Sequence, residues 1–122
     1  VMKIITKKID RALRANGESD LAAILDDGNT KDHKPVVKLF TPDASATWLL
    51  TSYEMDGDSK PTGRAFGLCD LGHGYVELGY VDLEELFSLR GWFGMKVERD
   101  LHFVGTHTLT EYADNIEREA QS

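Results

Sequence analysis

The spacing of apolar residues at the start of the chain indicates an amphipathic helix. Four residues recur at three- and four-residue intervals and so share one helix face: Ile5, Ile9, Ala12 and Leu13. Asn16 and Gly17 both tolerate the left-handed conformation in which helices commonly end, so we predict this helix over residues 5–15. A short second helix is predicted over residues 20–25, with Ser19 as its N-cap.

The middle of the chain alternates between apolar and polar positions, a pattern typical of half-buried β-strands. Strands are predicted over residues 35–40, 46–53, 64–70 and 75–81, and a fifth over 97–103. The connections between the first four are short and rich in Gly, Pro and Asp. Short connections favour antiparallel neighbours, because parallel strands need long crossovers.

Two capping patterns indicate the remaining helices. Asp82 followed three residues later by Glu85 predicts the start of a helix over residues 82–90. Thr108 followed by Glu111 predicts the start of a short C-terminal helix in the same way.

Together these elements predict a single α+β domain over residues 2–115. Its expected architecture is a mainly antiparallel sheet of about five strands. One face of the sheet is expected to pack against the N-terminal helix, the helix near 82–90 and the C-terminal helix. Residues 116–122 are expected to form a frayed tail.

Several short segments occur in an order and spacing that resemble a known family. They are KLFTPD at 38–43 with TW at 47–48, FGL at 66–68, ELGY at 77–80 followed by LEEL at 83–86, and VERDL at 97–101. Together they resemble a small bacterial family catalogued as a domain of unknown function, number two-nine-five-eight, over residues 2–112. The resemblance implies carriage on plasmids, phages and other mobile elements, and it implies no activity and no catalytic residues.

The charge of the chain limits the partners it can bind. There are 14 Lys and Arg against 21 Asp and Glu, a net charge of −7. Residues 1–14 carry +4, so residues 15–122 carry −11. Because nucleic-acid binding needs clustered cations, direct contact with nucleic acid is not expected. An acidic surface fits a basic protein better.

Cysteine usage and hydropathy indicate the compartment. Cys69 is the single cysteine, so an intramolecular disulfide is excluded. No apolar run approaches the roughly 20 residues that cross a bilayer. We therefore predict a cytoplasmic protein with no membrane partner.

Arg99 has an unusual place in the predicted fifth strand. The period of two puts it on the same face as Val97, where a guanidinium is costly unless an acid neutralises it. Glu77 is the expected partner, and a structural ion pair is the favoured interpretation. If the pair instead lines an open cleft with a second acid such as Asp100, these three residues become the candidate catalytic site of a small enzyme.

Two aromatic residues and two acids form the candidate binding surface. Trp92 and Phe93 stand between glycines in a predicted loop, where packing into the core is the ordinary expectation. The alternative is that they anchor a partner, since Trp is common at binding hot spots. Asp43, in a predicted turn, and Glu54, directly after the predicted strand over 46–53, are included as candidate acidic contacts.

Metal binding is not expected. Cys69 with His73, and His102 with His107, have spacings that could converge on a metal if they lay on helices. Both pairs instead straddle predicted strand ends and loops, and no Cys-x-x-Cys or His-Glu-x-x-His motif occurs. No cofactor is predicted either.

These observations favour a protein-binding module without enzymatic activity. The expected partner is another protein, for example one of a defence system or one that handles nucleic acid. A small enzyme around Glu77 and Arg99 and a structural accessory subunit are the alternatives, and the sequence leaves the oligomeric state open.

Overall fold

The computed structural model describes residues 4–121, which form three helices and five strands. In chain order these are α1 (Lys7–Asp26), β1 (Val37–Phe40), β2 (Thr47–Met55), β3 (Pro61–Asp70), β4 (Val76–Asp82), α2 (Leu83–Ser88), β5 (Glu98–Arg99) and α3 (Leu109–Ala120). Residues 2 and 3 of the expected domain and residue 122 of the expected tail lie outside the described residues.

The five strands form one sheet in the order β4-β3-β2-β1-β5, and every neighbouring pair is antiparallel. This confirms the predicted α+β class and the antiparallel sheet. β2 lies at the centre and is buried along most of its length, because helices cover both of its faces. Trp48 and Leu50 point to one face and Leu49 to the other, as the alternation along a strand requires.

The helices pack on both faces of the sheet, so the expectation that all three share one face is wrong. The larger cluster, on the face covered by α1 and α2, contains Leu13 of α1 and Leu86 of α2. The smaller cluster, on the opposite face, contains Leu109 and Ala113 of α3. The central strand β2 has apolar residues on both faces, and this pattern does not tell which face a given helix covers.

α1 is one continuous helix of 20 residues, where the sequence predicted two helices separated at Gly17. Gly17 is buried, and a Cβ there would meet the carbonyl oxygen of Tyr53 and lie 2.9 Å from Cγ of Met55. The side-chain amide of Asn16 donates to the carbonyl of Thr51 at 2.8 Å. Gly17 therefore allows the helix to approach β2 closely rather than ending the helix.

β5 is shorter than the predicted strand over 97–103. Only Glu98 and Arg99 pair with β1, and the chain turns directly after Asp100. Leu101 is consequently exposed. Phe103 packs on the face that α3 covers, opposite to Val97. The alternation in sequence thus continues beyond the point where the strand ends.

The predicted capping residues begin the two later helices. Asp82 accepts a hydrogen bond from the amide of Glu85 at 3.0 Å, and α2 ends at Ser88. Thr108 and Glu111 form the full reciprocal capping box of α3. α3 continues to Ala120, beyond residue 116 where the tail was expected to begin.

Candidate functional site

A tight loop between α2 and β5 places two aromatic side chains in solvent. Within this segment, residues 91–95 and here called the aromatic loop, the amide of Gly91 donates to the carbonyl of Met95 at 2.9 Å. Gly94 adopts a φ of 80°, which favours glycine. Trp92 is 88% exposed and Phe93 is 87% exposed. Packing of these residues into the core, the ordinary expectation, is therefore wrong.

The carboxylate of Asp43 holds this loop in place from the turn between β1 and β2. Its Oδ2 accepts hydrogen bonds from the backbone amides of Phe93 at 2.6 Å and Met95 at 3.2 Å. Hydrogen bonds to a charged acceptor each stabilise by about 1.5–3 kcal/mol. The structure thus brings together three of the four residues predicted for the binding surface, namely Asp43, Trp92 and Phe93.

Gly91 and the second carboxylate oxygen show how closely the turn and the loop fit. A Cβ at Gly91 would overlap the Asp43 carboxylate, so only glycine leaves room for it. Oδ1 of Asp43 is buried and has no hydrogen-bond partner among the described residues. An unsatisfied buried oxygen carries a desolvation cost, which the two amide bonds to Oδ2 must offset.

An apolar groove adjoins the aromatic loop. It has a volume of about 370 Å³, and Leu71, Leu89 and Trp92 line it together with Trp48. Leu71 and Leu89 are both exposed. Trp48 also borders a second groove of about 240 Å³, which runs over Gly79 towards Val81 on the same sheet face. The aromatic loop and the 370 Å³ groove beside it, together called the aromatic surface, form an apolar site open to solvent.

Glu54, the fourth residue predicted for the binding surface, lies elsewhere. It is seven residues along β2 from Thr47, which places it about 23 Å from the end of the strand near Asp43. Its carboxylate binds Arg64 through two bonds, from Nε at 3.0 Å and from Nη2 at 2.6 Å, and accepts a third from Thr62. These bonds lower the pKa of Glu54, with Arg64 as the main cause. Glu54 therefore stabilises the β2–β3 hairpin locally.

The expected pairing of Glu77 with Arg99 is wrong. Glu77 is on β4 and Arg99 is on β5, at opposite edges of the sheet and about 19 Å apart across four strand spacings. The face assignment itself was correct, because Arg99 is the cross-strand neighbour of the buried Leu39 and shares its face of the sheet. Its Nη1 donates to the carbonyl of Ile4 at 3.1 Å. Period-two alternation fixes the face of a strand but does not fix the order of strands in the sheet.

Asp100, the remaining candidate acid, orders the turn after β5. Its Oδ1 accepts a hydrogen bond from the amide of His102 at 2.9 Å, and Oδ2 lies 3.9 Å from Nζ of Lys38. Its own amide donates to the carbonyl of Lys38. Asp100 follows β5 at one edge of the sheet, and Glu77 is on β4 at the other edge. The two acids therefore do not share a cleft.

The structure also contains a polar pair that the sequence analysis missed. Nε2 of His33 lies 2.7 Å from Oδ1 of Asp20, beside a cavity of about 90 Å³ bordered by Thr51 and Leu109. The carbonyl of His33 accepts the amide of Leu109 at the start of α3. No local motif could indicate this pair, because the two residues are 13 positions apart, with Asp20 on α1 and His33 in the connection between α1 and β1.

Cys69 is a poor nucleophile, and metal ligands do not gather around it. Burial raises the pKa of its thiol, and the nearby carboxylates of Glu77 and Asp70 raise it further. Within residues 4–121 there is no group of three or more His, Cys, Asp or Glu that could hold a metal ion. None of the helices in these residues is both long and apolar enough to cross a membrane.

A comparison with known families identifies the family to which this chain belongs. The profile of a family described as protein of unknown function (DUF2958) matches residues 4–121. The chain belongs to the DUF2958 family. A search of curated proteins and a search of solved structures found no match. The aromatic surface of this DUF2958 domain exposes Trp92 and Phe93 to solvent.

Proposed function

We propose that this DUF2958 domain is a non-enzymatic protein-binding module and that the aromatic surface is its binding site. The observation that carries the proposal is the bond from the amide of Phe93 to the Asp43 carboxylate, which fixes two large aromatic side chains in solvent. Keeping such side chains in water forgoes about 1.5–3 kcal/mol each relative to burial. A partner that covers Trp92 and Phe93 recovers that free energy.

The geometry supports binding in two further ways. A loop that is already ordered loses less conformational entropy when it binds. Trp is also strongly enriched among the residues that dominate binding free energies. The adjoining groove beside Leu71 and Leu89 offers an apolar cavity for a partner's side chain. Trp92 can thus insert into the partner while the partner inserts into the groove.

The charge of the chain favours a basic partner. The net charge is −7, and Glu84 and Glu85 lie in the first turn of α2. Arg90 lines the groove, but its guanidinium donates to backbone carbonyls of the same segment. The partner we propose is a protein with an apolar cleft bordered by Lys and Arg, such as the groove of a nucleic-acid-handling or defence protein. A mobile-element setting for this interaction is part of the same proposal.

The enzyme hypothesis has less support. A carboxylate–arginine site around Glu77 and Arg99 needs both side chains in one cleft, and β4 and β5 hold them at opposite edges of the sheet. Another polar pair, His33 with Asp20, borders a cavity with room for only a few water molecules.

The test compares three immobilised proteins in a lysate of the source organism: wild type, Trp92→Ala and Leu25→Ala. Leu25 is the matched control, since it is 75% exposed but lies in the last turn of α1, outside the aromatic surface. The proposal is supported if wild type and Leu25→Ala retain a basic protein that Trp92→Ala does not retain. After purification, that protein must also bind the domain directly, with a Kd that depends on salt. Equal retention by all three proteins, or binding that is insensitive to salt, contradicts it.

A further inference from the structure

Within residues 4–121, no strand pairs with the outer edge of β4. β4 ends the sheet on one side, and its seven residues pair with β3 in unbroken register from Arg64↔Asp82 to Asp70↔Val76. Proteins commonly protect such an edge with Lys, Pro, a bulge or a very short strand. β4 contains no Lys, no Pro and no bulge. The opposite edge, β5, has only two residues and is protected by its shortness.

The backbone groups that face outward from this edge can be identified. Adjacent residues of an antiparallel strand direct their backbone N–H and C=O groups to opposite sides. The amide of Val76 donates to the side chain of Glu117 at 3.3 Å, so it points away from β3. Leu78 and Tyr80 have the same parity as Val76, and their backbone groups therefore point outward as well.

The side chains at the edge would give specificity to an added strand. Leu78 and Tyr80 are 46% and 49% exposed and lie on the face that α3 covers, so they would contact apolar side chains of an added strand. Glu77 lies on the opposite face, beside the open space above Gly79. An added strand with apolar residues on one face and cations on the other complements both the apolar pair Leu78 and Tyr80 and the acid Glu77.

Charge selects a basic occupant over a second copy of the chain. β4 carries Glu77 and Asp82 and no base, and Asp70 and Glu117 flank its first residue. Arg64 of β3 lies over the ring of Tyr80, with its guanidinium carbon 4.9 Å from the ring centroid, but it already binds Glu54. Pairing of two β4 edges would bring these acids together, which is unfavourable. An extended segment with Lys or Arg at alternate positions would neutralise them.

We infer that the edge of β4 is a docking site for an extended basic segment of a partner protein, which adds to the sheet as a sixth strand. Strand addition satisfies the outward N–H and C=O groups of Leu78 and Tyr80. This site is separate from the aromatic surface, so Trp92→Ala is expected to leave its affinity unchanged.

The probe is an acetylated and amidated octapeptide of alternating Val and Lys, titrated into the isotope-labelled domain. We expect slower hydrogen exchange at the amides of Leu78 and Tyr80, with little change at Phe93. A control peptide with Glu in place of Lys is expected to bind at least about tenfold more weakly. Equal binding of both peptides, no binding, changes confined to the aromatic loop, or dimerisation through β4 would overturn the inference.

Two types of variant separate the charge from the backbone contribution. Glu77→Lys is expected to weaken binding of the Lys peptide about tenfold and to leave the fold intact, whereas Glu18→Lys on α1 is the exposed control. Leu78→Pro removes one outward N–H without removing a bond to β3 and is expected to weaken both peptides. An unchanged affinity in Glu77→Lys would contradict the assigned role of charge even if Leu78→Pro did not fold.

Discussion

The carboxylate of Asp43 accepts the backbone amide of Phe93 at 2.6 Å, although the two residues are 50 positions apart. Asp43 belongs to the turn between β1 and β2, and Phe93 belongs to the loop that leads to β5. Because β5 pairs with β1, the two connections meet at the same end of the sheet. This single contact links the fold of the sheet to the position of the exposed aromatic residues.

Replacing Asp43 should release the aromatic loop. In Asp43→Ala two backbone amides lose their acceptor, but the cost of the buried, unsatisfied Oδ1 is removed as well. We therefore expect the free energy of unfolding to fall by about 1–3 kcal/mol. Asp43→Asn keeps one acceptor oxygen and should lose less. Urea denaturation measures the loss, and Asp58→Ala in the exposed β2–β3 turn should change it by less than about 0.5 kcal/mol. A loss in Asp43→Ala no larger than in Asp58→Ala would contradict the role of this carboxylate.

Gly17 offers a test of the close contact between α1 and β2. Alanine in place of glycine normally stabilises a helix by about 1 kcal/mol. Here the added methyl group would meet the Tyr53 carbonyl and the Met55 side chain, so Gly17→Ala should instead destabilise by about 1–3 kcal/mol. Thermal unfolding gives the sign directly. Ser19→Ala, at an exposed position of the same helix, should be neutral or stabilising. A stabilising Gly17→Ala would show that α1 and β2 do not approach as closely as described.

The bond between Tyr53 and Asp10 should make stability depend on pH in the alkaline range. The hydroxyl of Tyr53 donates to Oδ1 of Asp10 at 2.7 Å, and burial, followed by this bond, strongly raises the pKa of Tyr53. In the unfolded chain the phenol loses its proton near pH 10, before the folded form does. The contribution of Tyr53 is therefore complete below about pH 10 and is lost as the pH rises towards the raised pKa.

Comparison with Tyr53→Phe isolates this contribution. At neutral pH the variant should be about 0.5–1.5 kcal/mol less stable than wild type, because the hydrogen bond is absent. The difference should shrink when urea denaturation is repeated at increasing pH above 10. Tyr75→Phe, at an exposed position, serves as the control. A difference that stays constant or grows with pH would mean that the folded state does not favour the protonated phenol.

The elements that could be predicted from the sequence are those with local signals. Asp82 and Thr108 begin helices because a cap and its partner are three residues apart. The first four strands follow from alternation and from the turn residues between them. The face of Arg99 also followed from alternation, because the register of β5 places it opposite Leu39.

The errors arose where distant contacts decide the outcome. Gly17 matches the pattern of a helix end, and only its packing against Tyr53 shows why the helix continues. Glu77 and Arg99 could be assigned to faces but not to neighbouring strands. Among the site residues, Asp43 and Trp92 were identified separately. Their association depends on the order of the strands, which no local pattern encodes.

The most direct test of the aromatic surface is site-specific photo-crosslinking in the source organism. A photoreactive phenylalanine at position 93, 87% exposed beside Trp92, is compared with the same group at position 25. We predict that position 93 yields one predominant protein adduct, that position 25 does not, and that Asp43→Ala abolishes the adduct. The same set of adducts from both positions, or an adduct that persists in Asp43→Ala and Trp92→Ala, would contradict the account.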